Sequence, residues 1–315
     1  MVTELTFREG AVADLATTFE LSEIAMHDVA VRQGVIPREP PLGDEQIRSD
    51  WQRQRGLIEF ISAQPEGRYV ICEGPEGLIG YARVVRFGAM EQLTELMVAP
   101  AHQRQGIGRA LLERCWPGDP TPDLDRIVVA AGAPNDLTLY TEFGVMPVAG
   151  HWHMRARTEE YVPLRTAEVD MVDPQVHVLT PERAVDEWCR LEPGAVGHDR
   201  PALHDFFARE RTCLALPGEG DSPAALCWVS SDAEIGPAVG ATAADLVPVI
   251  LAALDRVAKT QEPETLSVFG TSLSWWLLRR LRRLGFVIFW PSWVMCSVPL
   301  PGLDRYVPTR PPHVI

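Results

Sequence analysis

Two offsets bring this chain into register with itself. Adding 141 takes Leu137 to Leu278, Gly144 to Gly285, Val145 to Phe286, Trp152 to Trp293 and Met154 to Met295. Adding 139 takes Ile127 to Leu266, Val129 to Val268, and Leu111-Leu112 to Ile250-Leu251. Similarity at a fixed long spacing means that one supersecondary pattern occurs twice. A chain of 315 residues already suggests two domains of ordinary size. The repeat requires both to share one fold, the second copy having diverged.

The first copy reads as a strand at 3–8 and a helix at about 11–32 with Val12, Leu15, Phe19 and Ile24 on one apolar face. A proline-rich loop (34–43) precedes a helix at about 44–63, which Asp44 caps. Strands are expected at Arg68–Glu73, Leu78–Phe87 and Gln92–Val98, a helix at Gly106–Trp116, and a strand at Arg126–Ala131. A short helix, Asp136–Phe143, and a strand, Val145–Arg155, then close the sheet. Strands interleaved with helices make an α/β chain with a mixed sheet. The expected boundaries are 1–157 for the first domain, 158–174 for a linker, 175–300 for the second domain, and 301–315 for a proline-rich tail lying extended on the surface. In the second copy strands are read at Gln175–Leu179, Thr212–Leu216, Ala224–Ser230 and Thr265–Phe269. Helices are read at about 181–191, 200–210, 243–258 and 272–284.

The chemistry concentrates where Leu93-Thr94-Glu95-Leu96-Met97-Val98-Ala99-Pro100 runs into Gln103-Arg104-Gln105-Gly106-Ile107-Gly108-Arg109-Ala110-Leu111-Leu112. A strand reaches a proline, turns, and starts a helix on two glycines. Gly106 and Gly108 carry no Cβ, so a ligand can approach the backbone. The first helical amides lack intrahelical partners and carry the positive end of the dipole. With Arg104 and Arg109 beside them they form a cradle for a pyrophosphate. The loop is neither a dinucleotide fingerprint nor a P-loop, because the third Gly and the Gly-Lys-Ser/Thr are missing. Under the 139 offset it maps to Thr242–Val247, without glycine and with Asp245 where phosphates would sit. Under the 141 offset Tyr140 becomes Leu281. The second copy therefore keeps core positions and loses the cradle.

The whole string from Val98 to Leu112 resembles the acetyl-CoA loop of the GCN5-related N-acetyltransferases, the GNAT family, whose pattern is met by Gln103, Gly106 and Gly108. The resemblance implies two tandem GNAT folds, with acetyl-CoA as cosubstrate and no metal. It implies that the backbone of Leu96, Met97 and Val98 holds the pantetheine. The amides of Arg104, Gln105, Gly106, Ile107, Gly108 and Arg109 would hold the pyrophosphate. Asp136–Val145 resembles the family's second cofactor motif, Leu-Tyr-x-x-x-Gly-Phe, which makes Tyr140 the expected general acid and Asn135 a looser contact. For the base, Glu95 is the expected residue. Glu91 flanks the same strand, and some relatives carry a glutamate at the position of Gln92, which cannot take a proton. Glu23, Asp28 or a water chain are the other routes. The implied reaction is direct attack of a primary amine, on a small molecule or peptide, upon acetyl-CoA in a ternary complex. The alternative is a non-catalytic acyl-CoA-binding or regulatory module.

The formal charge of −14 disfavours nucleic acid as a partner. Residues 1–10 lack a secretory apolar core, and the most apolar stretch, Ala241–Ala258, is broken by Asp245, Pro248 and Asp255, so no membrane span is expected. Six scattered cysteines predict reduced, mostly buried thiols and a cytoplasmic protein. His151 and His153 share one face of a strand, on the substrate side or at a surface. Without a nearby carboxylate or cysteine they make a poor zinc site. Arg279, Arg280, Arg282 and Arg283, interleaved with leucines, read as the wet face of a helix. The expected state is a monomer or homodimer.

Overall fold

The structure is a computed structural model that describes residues 5–38, 40–118, 120–121, 123–131, 134–167, 175–311 and 314–315; the side chains of Pro134 and Asn135 fall outside the described part. The chain divides into two compact units, Met1–Val128 with Thr138–Val145, and Val129–Leu137 with Met146–Ile315.

Unit 1 is built on β1 (Thr6–Glu9), α1 (Leu15–Arg32), α2 (Asp44–Ser62), β2 (Arg68–Gly74), β3 (Gly77–Phe87), β4 (Met90–Val98) and α3 (Ile107–Cys115). The division between the units passes through the next two elements, β5 (Asp125–Ala130) and α4 (Pro134–Thr141). β1 to β4 pair in chain order, all antiparallel, and β5 joins β4 in parallel. Leu15, Phe19 and Leu21 of α1 and Ile58 of α2 bury against Tyr69, Ile71 and Tyr81 on one face of this sheet. On the opposite face Leu111 of α3 packs against Gly80, where an added Cβ would stand 3.4 Å from its Cδ1. Alternation along each strand therefore separates the residues seen by α1 from those seen by α3.

Unit 2 comprises β6 (Met146–Arg157), α5 (Thr158–Thr166), β7 (His177–Val178), α6 (Pro181–Leu191), α7 (Pro193–Val196), α8 (Pro201–Glu210), β8 (Arg211–Pro217), β9 (Pro223–Ser230), β10 (Ile235–Gly240), α9 (Ala243–Thr260), β11 (Thr265–Thr271), α10 (Trp275–Arg283), β12 (Val287–Cys296) and β13 (Tyr306–Val307). Leu246, Val249, Ile250 and Leu254 of α9, with Leu277 and Leu281 of α10, bury against Met154, Ala156, Leu266 and Val268 of the strands. Arg279, Arg282 and Arg283 lie on the exposed side of α10, as its leucine spacing requires.

Three expectations need correction. β6 pairs antiparallel with β11 and with β12 and belongs to unit 2, so the division between the units does not fall at 158–174. Its pairing with β12 sets His151 opposite Ser292, residues 141 apart in number. Repeat-related strands thus face each other across one antiparallel ladder, which strand-by-strand reading cannot foresee. The linker expected from 158 begins instead as α5, with Tyr161 1% exposed and its hydroxyl donating to Asp255 at 2.6 Å; residues 168–174 lie outside the described ones. Finally, the tail from 301 does not lie on the surface. Tyr306, Val307 and Thr309 are fully buried.

Unit 2 also contains a buried ionic cluster. Glu192 accepts from Arg200 and from His204 (2.7 Å), and the hydroxyl of Tyr306 donates to it at 3.2 Å. Burial alone would push the Glu192 carboxyl up, but the adjacent charges of Arg200 and His204 outweigh it and hold it down at about 2. A carboxyl depressed in the folded state contributes stability above its unfolded value, near 4.5, and loses it as pH falls toward 2. Thermal melts of the full chain, followed by the fluorescence of Trp188 and Trp228, are expected to lose stability on the order of 3 kcal/mol across that window. Glu192→Gln should start lower and lose less across that window. A wild-type curve without slope between pH 4.5 and 2 would refute this.

Candidate functional site

The site grows from an irregularity in β4. Glu95 opposes Arg83 and Leu93 opposes Val84, so Thr94 is an extra residue on β4, its hydroxyl donating to the Arg83 carbonyl at 3.1 Å. Such a bulge bends its strand and interrupts pairing. β4 accordingly pairs with β5 only through Met90–Leu93, while its other edge stays on β3 as far as Val98. Leu96, Met97 and Val98 therefore lie beyond the last residue that β5 engages. A backbone edge in that state can take an extended polar ligand by strand-like hydrogen bonds.

At the end of β4 the chain turns through a short 3-10 segment, Pro100–His102. The Gln103 amide group donates to the Val98 carbonyl at 3.1 Å and accepts from Arg32 of α1 at 3.1 Å, pinning the turn to the strand and to α1. Arg104 has φ 61° and Gly106 φ 81°. Two left-handed residues so close turn successive amides toward one concavity. Gly106 is the N-cap of α3 and supplies no side-chain cap. Among the described residues no backbone carbonyl accepts from the amides of Arg104 to Arg109. A Cβ on Gly106 would meet nothing within 4 Å, so the protein itself does not fill that space.

The second expected motif stands beside this turn. A Cβ on Gly108 would lie 3.7 Å from Leu139 of α4 and 4.0 Å from Leu96 of β4, so strand, turn and α4 converge there. Tyr140, next along α4, is 7% exposed. The guanidinium of Arg109 is engaged by Glu142 at 2.6 Å, so the side chain is not directed at the turn alone. The side chain of Asn135 falls outside the described part. These features fit an acetyl-CoA: a cradle of undirected amides, an open strand edge, and space where a side chain would otherwise stand.

Glu95 lies on the other face of β4, toward α1, and is 7% exposed. One of its oxygens accepts from Arg83 at 2.5 Å and the other from the hydroxyl of Tyr81 at 2.8 Å. Arg83 is 1% exposed and stacks over Tyr69, whose hydroxyl meets Thr18 of α1 at 2.7 Å. Burial, then the neighbouring Glu95 charge, raises the Tyr81 phenol well above its ordinary range. This network is not visible in the sequence: a strand at Leu78–Phe87 is expected, but nothing local indicates which residues of β4 its Tyr81 and Arg83 face. Glu91, the other carboxylate on β4, is 1% exposed between Arg68 (3.3 Å) and Arg126 (3.4 Å). Burial raises it despite both arginines.

The histidine pair belongs to unit 2. His151 is fully buried, bonded to Ser292 at 2.8 Å, and His153 stacks on Phe269 at 4.4 Å and meets Ser267 at 3.0 Å. His151 is thus packed among strands and does not sit at a surface. Among the described residues no cluster suited to a metal ion occurs, and no helix is long and apolar enough to cross a membrane.

Residues 65–144 match the family model described as an acetyltransferase (GNAT) domain. A mycothiol acetyltransferase of Cellulomonas flavigena is 25% identical over 194 residues, covering 59% of this chain and 52% of that protein. The chain thus spans about half the length of this curated relative. Among solved structures, a protein from Pyrococcus horikoshii superposes with a TM-score of 0.68 at 14% identity, over 96% of this chain and 92% of that one. A GCN5-related N-acetyltransferase from Sphaerobacter thermophilus gives 0.55 at 17% identity (96% and 98% covered). A tandem GNAT protein from the clavulanic acid biosynthesis pathway gives 0.54 at 15% (94% and 99% covered). At these identities the likeness is one of fold.

Proposed function

We propose that this chain, which carries a GNAT acetyltransferase domain on the fold of tandem GNAT proteins, transfers an acetyl group from acetyl-CoA to a primary amine at unit 1. The observation that supports this most is the turn after β4, where a run of unengaged amides from Arg104 to Arg109 adjoins a strand edge left open by the Thr94 bulge.

When bound, acetyl-CoA supplies an acyl group activated as a thioester. The amides of Arg104–Arg109 bind the pyrophosphate, helped by the positive end of α3. The open edge at Leu96–Val98 orients the pantetheine, and one of its amides polarises the acyl carbonyl. Tyr140 holds at its Oη the proton that the departing sulfur takes. Glu95 receives the proton of the attacking amine, with Tyr81 as its hydrogen-bonded neighbour. The acceptor is a small-molecule or peptide amine attacking directly, without a covalent intermediate on the protein.

Calorimetric titration with acetyl-CoA tests the reading. One site per chain is expected. Gly106→Val places a β-branched residue at φ 81° and fills the space above the turn. It should weaken acetyl-CoA binding at least 30-fold, about 2 kcal/mol, while backbone strain lowers stability by only about 1–2 kcal/mol. Undiminished binding by this variant would defeat the assignment of the loop.

A further inference from the structure

The turn that distinguishes unit 1 is absent from unit 2, and what replaces it has a second part. β10 follows two antiparallel strands and leads into a helix, as β4 does. Eight residues, 99–106, separate β4 from α3, whereas only 241 and 242 separate β10 from α9. The loop is therefore deleted, not merely substituted as the 139 offset suggested. The start of α9 is closed by its own side chains: the Thr242 hydroxyl accepts from the Asp245 amide at 3.3 Å, and Asp245 accepts from the Thr242 amide at 3.0 Å. That reciprocal cap leaves no invitation to an anion.

The neighbouring strand edge is also taken. One edge of β10 pairs with β9, and the other pairs antiparallel with β13, Ala238 opposite Val307 and Val239 opposite Tyr306. The carbonyl of Leu303 accepts from Thr271 at the end of β11 (2.6 Å) and from Ser274 just before α10 (3.1 Å). Arg305 donates to the carbonyl of Ala241, in the turn before α9, at 2.6 Å. Tyr306 reaches the buried cluster, accepting from Arg200 at 2.9 Å and donating to Glu192. One segment thus touches β10, the turn after it, the end of β11 and the start of α10. These are the counterparts of the elements that bound the candidate cofactor cleft of unit 1.

We propose that residues 303–309 are a built-in occupant of the second copy's acyl-carrier cleft, lying along β10 where a pantetheine would lie and closing that copy to acyl-CoA. The inference rests on reading β4 and its turn as the acyl-CoA site of unit 1. After a 3-10 turn at Leu303–Arg305, the strand Tyr306–Val307 is extended and pairs with β10 by backbone bonds, as the displaced ligand would. Its side chains fill what the ligand would leave apolar: Leu303, Tyr306 and Val307 are 3% exposed or less.

Hydrogen exchange on the full-length chain, read by mass spectrometry, tests this in two arms. Without ligand, Tyr306→Phe keeps the ring and removes the hydroxyl's bonds to Arg200 and Glu192. Exchange at 303–309 and at 235–240 should rise together, about tenfold, because both form one cooperative unit. A rise at 303–309 with 235–240 unmoved would overturn the proposal, since the segment would then merely cover the cleft. With saturating acetyl-CoA, wild-type exchange should slow at 96–109 and stay constant at 235–240 and 303–309. Acetyl-CoA that protects 235–240, or that loosens 303–309, overturns the proposal. Absence of protection at 96–109 counts against the function proposed for unit 1, which the ligand-free arm does not involve.

Discussion

Tyr140→Phe is expected to lower kcat by two to three orders of magnitude while the acetyl-CoA Kd stays within about twofold. The phenylalanine ring keeps the volume of a side chain that is 7% exposed, so the helix α4 and its contact with the turn should survive. The hydroxyl at Oη is lost with its proton, and a positioned acid contributes about 10²–10⁴ to the rate of such a step. Steady-state kinetics with a responsive amine, beside calorimetry with acetyl-CoA, separate the two effects. A kcat that is unchanged would make Tyr140 a packing residue. Turnover absent from the wild type with every class of amine, against intact acetyl-CoA binding, would favour the binding-module alternative.

The second large effect concerns the ion pair beneath α1. Arg83→Met is expected to destabilise the chain by roughly 3–5 kcal/mol, because it strands the Glu95 carboxylate in a site that is 7% exposed. The double variant Arg83→Met with Glu95→Leu should regain most of this loss, since an apolar pair of similar volume replaces two charges that burial penalises. Chemical denaturation measures both, and equal losses in single and double variants would refute the account. Glu95→Gln separates structure from catalysis: it retains an acceptor for Tyr81 and loses the ability to take a proton. If Glu95 is the base, kcat falls about 100-fold in molecules that remain folded. Unchanged kcat would leave Glu95 as the counterion of Arg83 alone, and the amine's proton would leave by another route.

Much of unit 1 was legible because its signals are local. The Gly106 turn, the apolar face of α3 and the spacing of Tyr140 to Gly144 are each contained in a few consecutive residues, and the helix and strand limits follow within a few positions. The cluster of Tyr81, Arg83 and Glu95 was not legible, since it depends on the register of β3 against β4 and on a one-residue bulge at Thr94. β10 was missed altogether. Its six residues include Gly236, Pro237 and Gly240, which read as turn, and it is a strand because β9 and β13 hold it on both edges.

By itself, the sequence determined that one fold occurs twice and that only the first copy has a glycine turn between a strand and a helix. Both are properties of spacing and of residue chemistry along the chain, and a turn that needs positive φ declares itself by glycine. The tertiary structure alone decided which strands pair within unit 2 and what takes the free edge of β10. β6 pairs with β12, its repeat-related partner, and β13 pairs along the edge of β10 that β9 leaves free. Long-range strand pairing depends on which edges are left free once every other element has packed, and no local window contains that information.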